Sequence, residues 1–466
     1  MNPPPPRLDT RHALIASHAL LPGGWASDVL LVWDAAGTLT GVTSAASGIA
    51  GVPRAEGVVI PGMPNLHSHA FQRAFAGLTE YRGAGDDSFW SWRERMYQFA
   101  AALTPDVLED VATQLYIEML HAGYTSVCEF HYVHHQPDGA PYAEPAEMAL
   151  RIAAAARRAG IGLTLLPVLY QAGGFGGRPA TAQQRRFVSD VDTLLRIVER
   201  LHAQDVRVGV APHSLRAVPP DALQRLVEGM HAMDPTAPVH IHVAEQQREV
   251  DDCLAWTGLR PVQWLLQHAA VDERWCLVHA THVDDAERAA LAACGATAGL
   301  CPSTEANLGD GVFPAAAYLD AGGRWGIGSD SHASVDAAGE LRLLEYTQRM
   351  VLQRRNVLAS PAQPHVAHRL WLAAVEGGAR ASARPIGGLA PGQRADFVVL
   401  ANDDTLQGLS PEQVLSSHVF ACQPGRAMVR EVWVGGECRV RSGEHALARE
   451  ARERFVGARA QLLRES

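Results

Sequence analysis

Short apolar runs rich in β-branched residues alternate with amphipathic segments from about residue 60 to residue 380. This alternation is typical of repeated β-α units that build a parallel sheet. The runs lie at 125–130, 162–169, 206–212, 239–245, 275–280, 296–302 and 325–330, and GVVI at 57–60 supplies an eighth. Eight such units predict an α/β fold, and specifically a (β/α)8 TIM-like barrel.

The flanks of this region have a different pattern. Residues 1–60 and 385–466 contain Gly- and Val-rich stretches such as VLLVWDAAGTLTGV, ADFVVLA and REVWVGGECRV. The last of these reads as a hairpin with a Gly-Gly turn. We predict that both flanks join in one small β-sandwich-like domain, partly helical at its C-terminal end, beside a catalytic barrel formed by residues 61–384.

Charge and hydropathy exclude several classes of partner. The formal net charge is −10 and the sequence pI is about 6.1, whereas nucleic acids and anionic membranes require a basic surface. The N-terminal stretch MNPPPPRLDTRH lacks the apolar core of a signal peptide, and apolar runs such as 161–170 are too short to span a bilayer. We therefore expect a cytoplasmic protein with a small-molecule substrate, and neither a nucleic-acid nor a membrane partner.

Two residue types narrow the chemistry further. The 7 cysteines are scattered and never form C-x-x-C, so we expect neither a disulfide framework nor a thiolate zinc site. The chain contains no lysine, and its 40 basic residues are all arginine. Any mechanism that depends on a lysine is therefore excluded.

Polar residues cluster where the predicted strands end. Catalytic groups of such barrels lie at the C-terminal strand ends, and here these ends carry His67, His69, His240, His242, Glu245, His279 and Asp330. His67 and His69, two positions apart in extended chain, project to the same side and can bind one metal ion together. A third imidazole and a carboxylate would complete a site for Zn²⁺ or a similar divalent ion.

This set of residues resembles the amidohydrolase superfamily, whose barrels carry His-x-His after strand one, histidines after strands five and six, and an aspartate after strand eight. Because there is no lysine to carbamylate, the resemblance implies a site with one metal ion. It implies the ligands His67, His69, His242 and Asp330, with Zn²⁺ as the default ion. His240 lies deeper in its strand, and we predict that it packs in the interior or supports a ligand.

The resemblance also implies a mechanism. His242 and Glu245 form the His-x-x-Glu pattern typical of the deaminase branch. A hydroxide generated on the metal would attack a C=N carbon, with Asp330 accepting the proton of the water. Glu245 would carry that proton to the leaving ammonia, and His279 would hold the water and stabilise the oxygen of the adduct.

Longer stretches narrow the resemblance to one family. HSHAFQRAFAGL, DDSFWSWRERMYQFA, EFHYVHH, APHSLRAV, HIHVAEQ, LVHATH and GSDSH closely resemble formimidoylglutamate deiminases. These enzymes convert N-formimino-L-glutamate, a small dicarboxylate amidine, to N-formyl-L-glutamate and ammonia, and the resemblance implies a homodimer. Arginine holds carboxylates best, which favours Arg216 after strand four. Arg93 is a second candidate, within its own subunit or across an interface, and the resemblance adds Gln72, Tyr132 and His213 to the pocket.

Three alternatives stay open at this point. A deaminase of the same superfamily that acts on guanine, cytosine or an adenosine derivative would use similar ligands, but has less need of paired arginines. A non-catalytic scaffold is a second alternative, and cleavage to glutamate and formamide is a third. Trp90 and Trp92 would form a lid, a subunit contact or core packing. We assign structural or supporting roles to the remaining histidines of these motifs, which are His131, His134, His135, His282 and His332.

Overall fold

The computed structural model describes residues 10–44, 49–82, 87–401, 404–421 and 428–465. Its strands are β1 (Ala13–Leu21), β2 (Gly24–Trp33), β3 (Leu39–Thr43), β4 (Val59–Pro61), β5 (Met63–Ser68), β6 (Tyr124–His131), β7 (Gly162–Leu169), β8 (Arg207–Val208), β9 (Ala211–Pro212), β10 (Val239–Val243), β11 (Trp275–His279), β12 (Thr297–Leu300), β13 (Arg324–Ile327), β14 (Phe397–Leu400), β15 (Val429–Val434), β16 (Glu437–Arg441) and β17 (Glu444–His445).

Its α-helices are α1 (Phe89–Ala102), α2 (Pro105–His121), α3 (Glu147–Ala159), α4 (Val191–His202), α5 (Pro220–Met233), α6 (Gln247–Thr257), α7 (Pro261–His268), α8 (Asp285–Cys294), α9 (Pro302–Leu308), α10 (Ala315–Asp320), α11 (Ala337–Leu352), α12 (Val366–Ser382), α13 (Pro411–Phe420) and α14 (Ala448–Glu465). Short 3-10 helices occupy Thr10–His12, Ala70–Phe75, Ala182–Gln184 and Asp404–Leu406.

Parallel strands and helices alternate from β5 to α12, which confirms the predicted β-α units. One sheet has the order β10-β11-β12-β13, and the other runs β5-β6-β7-β8 with β9 paired to β7. Isolated parallel bridges join the two sheets at both sides, between Val210 and Val239 and between Ser68 and Asp330. The carboxyl ends of these strands therefore lie close together. We call this part of the chain the parallel region.

Strand and helix limits follow from local chemistry. Every residue of β6 and β7 is buried, as expected for parallel strands covered on both faces. The predicted strand at 206–212 is divided in two at Gly209, where a Cβ atom would lie 2.4 Å from the Pro238 carbonyl oxygen. Asp190 caps the N-terminus of helix α4, where its side chain accepts a hydrogen bond from the Thr193 amide. The helix buries one apolar face.

The prediction that the GVVI run forms the first strand of the parallel region is wrong. The GVVI run contributes β4, which pairs with β1 and β14 in a third sheet. The strand that leads to His67 is β5. Gly62 separates the two strands. A Cβ atom there would lie 2.2 Å from the Thr125 side chain, so the chain can pass from one sheet to the other only at a glycine.

Both flanks of the chain contribute to this third sheet, whose order is β17-β16-β15-β14-β4-β1-β2-β3. Trp33 of β2 packs with ring centroids 6.0 Å from Phe397 and 5.7 Å from Trp433. The predicted Gly-Gly turn is found at Gly435 and Gly436, both with positive φ, between β15 and β16. The C-terminal flank ends in helix α14.

The described cysteines are all free thiols, and Cys422 lies outside the described residues. None of the helices within the described ranges is both long enough and apolar enough to cross a bilayer.

Candidate active site

Three imidazoles meet at the carboxyl ends of the parallel strands. His67 and His69, at and just beyond the end of β5, have their Nε2 atoms 3.1 Å apart. The Nε2 atom of His242, from β10, lies 2.9 Å from that of His67. The Asp330 Oδ1 atom, beyond β13, lies 3.5 Å from His67 Nε2 and 3.4 Å from His69 Nε2. The structure thus brings all four predicted ligands together.

The backbone fixes the orientation of two of these rings. His69 Nδ1 donates a hydrogen bond to the Phe130 carbonyl at 2.9 Å, and His242 Nδ1 donates one to the His213 carbonyl at 3.1 Å. Each Nε2 atom is therefore a bare lone pair that faces the centre of the cluster. Burial lowers the pKa of His69 to about 3 and the pKa of His242 well below its ordinary value, so both rings are neutral.

This donor set fits a divalent metal ion. Nitrogen lone pairs about 3 Å apart cannot form a hydrogen bond with one another and instead repel. Three imidazoles and one carboxylate are, however, ligands that Zn²⁺ accepts. A second group of potential ligands joins Asp330 to His279 and Cys301. Burial raises the pKa of Cys301 well above its ordinary value, so it stays a thiol, and we assign Asp330 to the histidine cluster.

His279 lies between the acidic groups of the site. Its Nε2 atom is 3.8 Å from Glu245 Oε1 and 3.7 Å from Asp330 Oδ2, and its Nδ1 atom is 3.3 Å from Glu305 Oε1. Burial disfavours its charge, but Glu245, Glu305 and Asp330 raise the pKa of His279 to about 10. Burial also raises the pKa of Asp330 to about 7, against the effect of His279.

Backbone strain concentrates at the same place. His279 and Asp330 have φ angles of 68° and 46°, in the left-handed region that residues with a Cβ atom avoid. Such conformations cost about 1–3 kcal/mol each and are found where a site requires a particular side-chain direction. Here they turn two side chains inward at the ends of β11 and β13.

The cluster opens into a pocket lined by aromatic and polar side chains. Every predicted substrate-binding residue lines it, together with Glu245, His279 and Asp330: these are Gln72, Arg93, Tyr132, His213 and Arg216. The Gln72 side-chain amide donates a hydrogen bond to the Tyr132 hydroxyl at 3.0 Å. The His213 ring lies with its centroid 4.8 Å from the Tyr170 ring.

The two arginines are held in different ways. Arg216 lies 4.0 Å from both Glu245 and Glu249, and its Nε atom is buried without a hydrogen-bond partner. Burial opposes its charge, but Glu249 and Glu245 raise the pKa of Arg216 above its ordinary value. The Arg93 guanidinium, on α1, lies 4.5 Å from the centroid of Trp90 and 5.6 Å from that of Tyr97.

The other histidines lie outside the cluster. His240 Nε2 lies 2.7 Å from the Ala381 carbonyl oxygen, and His240 does not line the pocket. His134, His135 and His282 each face a backbone carbonyl, His332 lies within hydrogen-bond distance of Ser68 and Ser329, and the His131 ring packs 5.5 Å from His134.

The sequence did not point to two acidic residues that support the site. Glu305 of α9 orients His279, and Glu249 of α6 accepts hydrogen bonds from the amides of Ala244 and Glu245 at 3.2 and 3.1 Å. Glu305 follows the seventh strand of the parallel region, so its position after a strand end was the available indication. The aromatic pocket residues Tyr97, Tyr170 and Phe187 were also not predicted.

Two sequence matches to known proteins accompany this geometry. The model of the Amidohydrolase family matches residues 58–438. A formimidoylglutamate deiminase of Pseudomonas aeruginosa is 52% identical over 456 residues, which cover 97% of this chain and 99% of the relative.

Solved structures give the same result for the fold. The crystal structure of an amidohydrolase from Brucella melitensis has a TM-score of 0.92 and 50% identity, and the match covers 97% of this chain and 100% of that one. An adenosine deaminase from Xanthomonas campestris, solved with bound Zn, has a TM-score of 0.77 at 24% identity, with 96% and 98% of the two chains covered. At that identity the second likeness concerns the fold alone.

Proposed function

The chain belongs to the amidohydrolase family, and we propose that it hydrolyses N-formimino-L-glutamate to N-formyl-L-glutamate and ammonia. One observation carries the proposal: a pocket that begins at a His₃Asp cluster is also lined by two arginines, Arg93 and Arg216. A dicarboxylate amidine needs both features, since its amidine carbon must meet the metal site and its carboxylates need guanidinium partners. The name of the relative from Pseudomonas aeruginosa supports the same substrate.

We also infer that the parallel strands close into a (β/α)8 barrel, the fold of this family. Three isolated parallel bridges between the sheets support this inference: Val210 with Val239, Ser214 with His242, and Ser68 with Asp330. The remaining strands would form a separate small domain from both flanks, with its first boundary at Gly62 because β4 belongs to that sheet.

We propose that His67, His69, His242 and Asp330 hold one divalent ion, with Zn²⁺ as the expected metal. When bound, such an ion would lower the pKa of a water ligand to about 7 and so supply a nucleophile at neutral pH. The neutral imidazoles and the buried carboxylate support this assignment.

Three side chains then handle the protons and the charge. Asp330 accepts one proton of the attacking water, and Glu245 carries it to the imine nitrogen. Glu245 then carries the second proton of the water from the hydroxyl of the adduct to the amino group, which leaves as ammonia. The Nε2–H of His279 donates a hydrogen bond to the oxygen on which negative charge develops. The position of His279 Nε2 within 4 Å of both carboxylates supports these roles.

The carboxylates of the substrate would be bound at the other end of the pocket. Arg216 lies 4.0 Å from Glu245 and so borders the catalytic groups. Arg93 reaches the pocket from α1. Gln72, Tyr132 and His213 offer further polar contacts along the wall.

Ammonia release from the zinc-loaded protein tests the proposal. N-formimino-L-glutamate should be turned over, while guanine, cytosine and adenosine should release ammonia at less than about 1% of its rate because they cannot pair with both arginines. Faster release from a ring amine would replace the proposed substrate. No release from any of them would favour the non-catalytic scaffold. The homodimer and the cytoplasmic location stay predictions, which sedimentation and cell fractionation can test.

A further inference from the structure

A second cavity opens beside the active-site pocket. We call it the vestibule; it is lined by residues that include Trp90, Arg93, Arg178, Arg216 and Arg248. Arg93 and Arg216 also line the pocket, so the two cavities share a wall. The acidic residues on its lining are Glu94 and Asp252, which leaves an excess of positive charge.

The arginines of the vestibule are gathered around one indole ring. The guanidinium carbons of Arg93, Arg248 and Arg216 lie 4.5, 4.8 and 5.9 Å from the centroid of Trp90. Each contact with the ring is favourable by itself, but cations gathered around one ring repel one another. Glu245 and Glu249, each 4.0 Å from Arg216, offset the charge of that arginine. An anion placed among them would relieve that repulsion.

Arg248 has donors to offer to such an anion. Its side chain is 65% exposed, and its acidic neighbour Asp252 lies at 3.8 Å, beyond hydrogen-bond distance. Arg216, where the vestibule meets the pocket, has a buried Nε atom without a hydrogen-bond partner. The arginines thus lead from the exposed rim of the vestibule to the pocket.

The charge of the whole chain explains why such a path is useful. The formal net charge is −10, so the average field of the protein repels an anion. A substrate with two carboxylates and one cationic formimino group carries a net negative charge at neutral pH. A cleft lined with positive charge raises the local concentration of such a ligand and its rate of association.

We propose that the vestibule is an outer carboxylate-binding site that captures the dicarboxylate before it enters the pocket, with Arg248 as a residue that determines this capture. This inference rests on the proposed function, since it takes its ligand from there. Arg248 acts in binding and makes no contact with the reacting atoms.

The test compares Arg248→Gln with Arg225→Gln as a matched control. Arg225 is also an exposed arginine, 58% exposed and paired with Asp192, but it lies on α5 and does not line the vestibule. For Arg248→Gln we expect KM for N-formimino-L-glutamate to rise roughly threefold to fivefold, with kcat unchanged, as for the loss of one exposed charge contact. KM should also depend less steeply on salt than in the wild type.

Equal KM values and salt dependences in the two variants would overturn the proposal. Calorimetric titration with N-formyl-L-glutamate keeps this outcome separate from a failure of the proposed function, because binding needs no turnover. If the wild type binds this dicarboxylate and Arg248→Gln binds it several-fold more weakly than Arg225→Gln, the vestibule is supported even without catalysis. Equal affinities, or no binding to the wild type, would contradict it.

Discussion

The two ends of the active-site pocket are built in different ways. At the inner end, His69 and His242 are fixed by backbone carbonyls at the ends of adjoining strands. At the outer end, Arg93 reaches in from helix α1 and lies against aromatic rings, with no fixed acidic partner among its described contacts. Under the proposed function, the sheet sets the position of the chemistry, and long side chains around it recognise the substrate.

Removal of a cluster histidine should have the largest effect. In His242→Ala we expect bound zinc to fall from about one ion per chain to near zero, and turnover to fall by more than about a thousandfold, because the ligand set is incomplete. Metal analysis and the ammonia assay measure both quantities.

His240→Ala is the matched control for that variant, because the two histidines lie two positions apart in β10. His240 hydrogen-bonds to Ala381, so we expect zinc to stay bound and the free energy of unfolding to fall by about 2 kcal/mol. Loss of zinc from His240→Ala with retention in His242→Ala would reverse the ligand assignment.

Glu245→Gln should separate catalysis from metal binding at the inner end. The amide cannot carry a proton, so we expect kcat to fall about 10²- to 10⁴-fold while the zinc content stays at the wild-type level. Steady-state kinetics and metal analysis on the same sample check this result. A variant with wild-type kcat would remove Glu245 from the mechanism.

Arg216→Met should affect binding more than chemistry and so mark the outer end. A hydrogen bond to a charged group contributes about 1.5–3 kcal/mol, which corresponds to a rise in KM of up to about 100-fold. Arg216→Lys keeps the charge but loses the planar fork, and we expect an intermediate KM. If both variants bind the substrate as well as the wild type does, the carboxylates are held elsewhere.

Glu305→Gln should have the smallest effect of the set. The amide still fills the space but no longer stabilises a protonated His279, so we expect kcat to fall about tenfold with zinc retained. An unchanged kcat would show that His279 keeps its orientation without Glu305.

The inner end of the pocket could be predicted from the sequence because it follows from strand periodicity. His67, His69, His242, His279 and Asp330 all lie at or just beyond strand ends, and parallel strands carry their C-terminal residues to one edge. The choice between His240 and His242 also followed from depth in the strand. The local pattern therefore contained the information that the cluster needed.

The first strand and the supporting acids could not be predicted in this way. Two short segments, 58–60 and 63–66, flank Gly62, and the local pattern does not say which of them joins the parallel sheet. Their partners are Phe397–Val399 and Tyr124–Val127, both far away along the chain. Glu305 contacts His279 through tertiary packing. Glu249 acts through hydrogen bonds from the amides of Ala244 and Glu245, which a sequence pattern of exposed and buried positions does not reveal.

The central claim is that water adds to the formimino carbon at the His₃Asp site and ammonia leaves. The most direct test is turnover of N-formimino-L-glutamate by zinc-loaded protein in ¹⁸O-labelled water, with the products identified by mass spectrometry. We predict ammonia and N-formyl-L-glutamate in equal amounts, with one ¹⁸O atom in the formyl group. Formamide and glutamate as products would contradict the assignment of the cleaved bond, and an unlabelled formyl oxygen would contradict the attack by water.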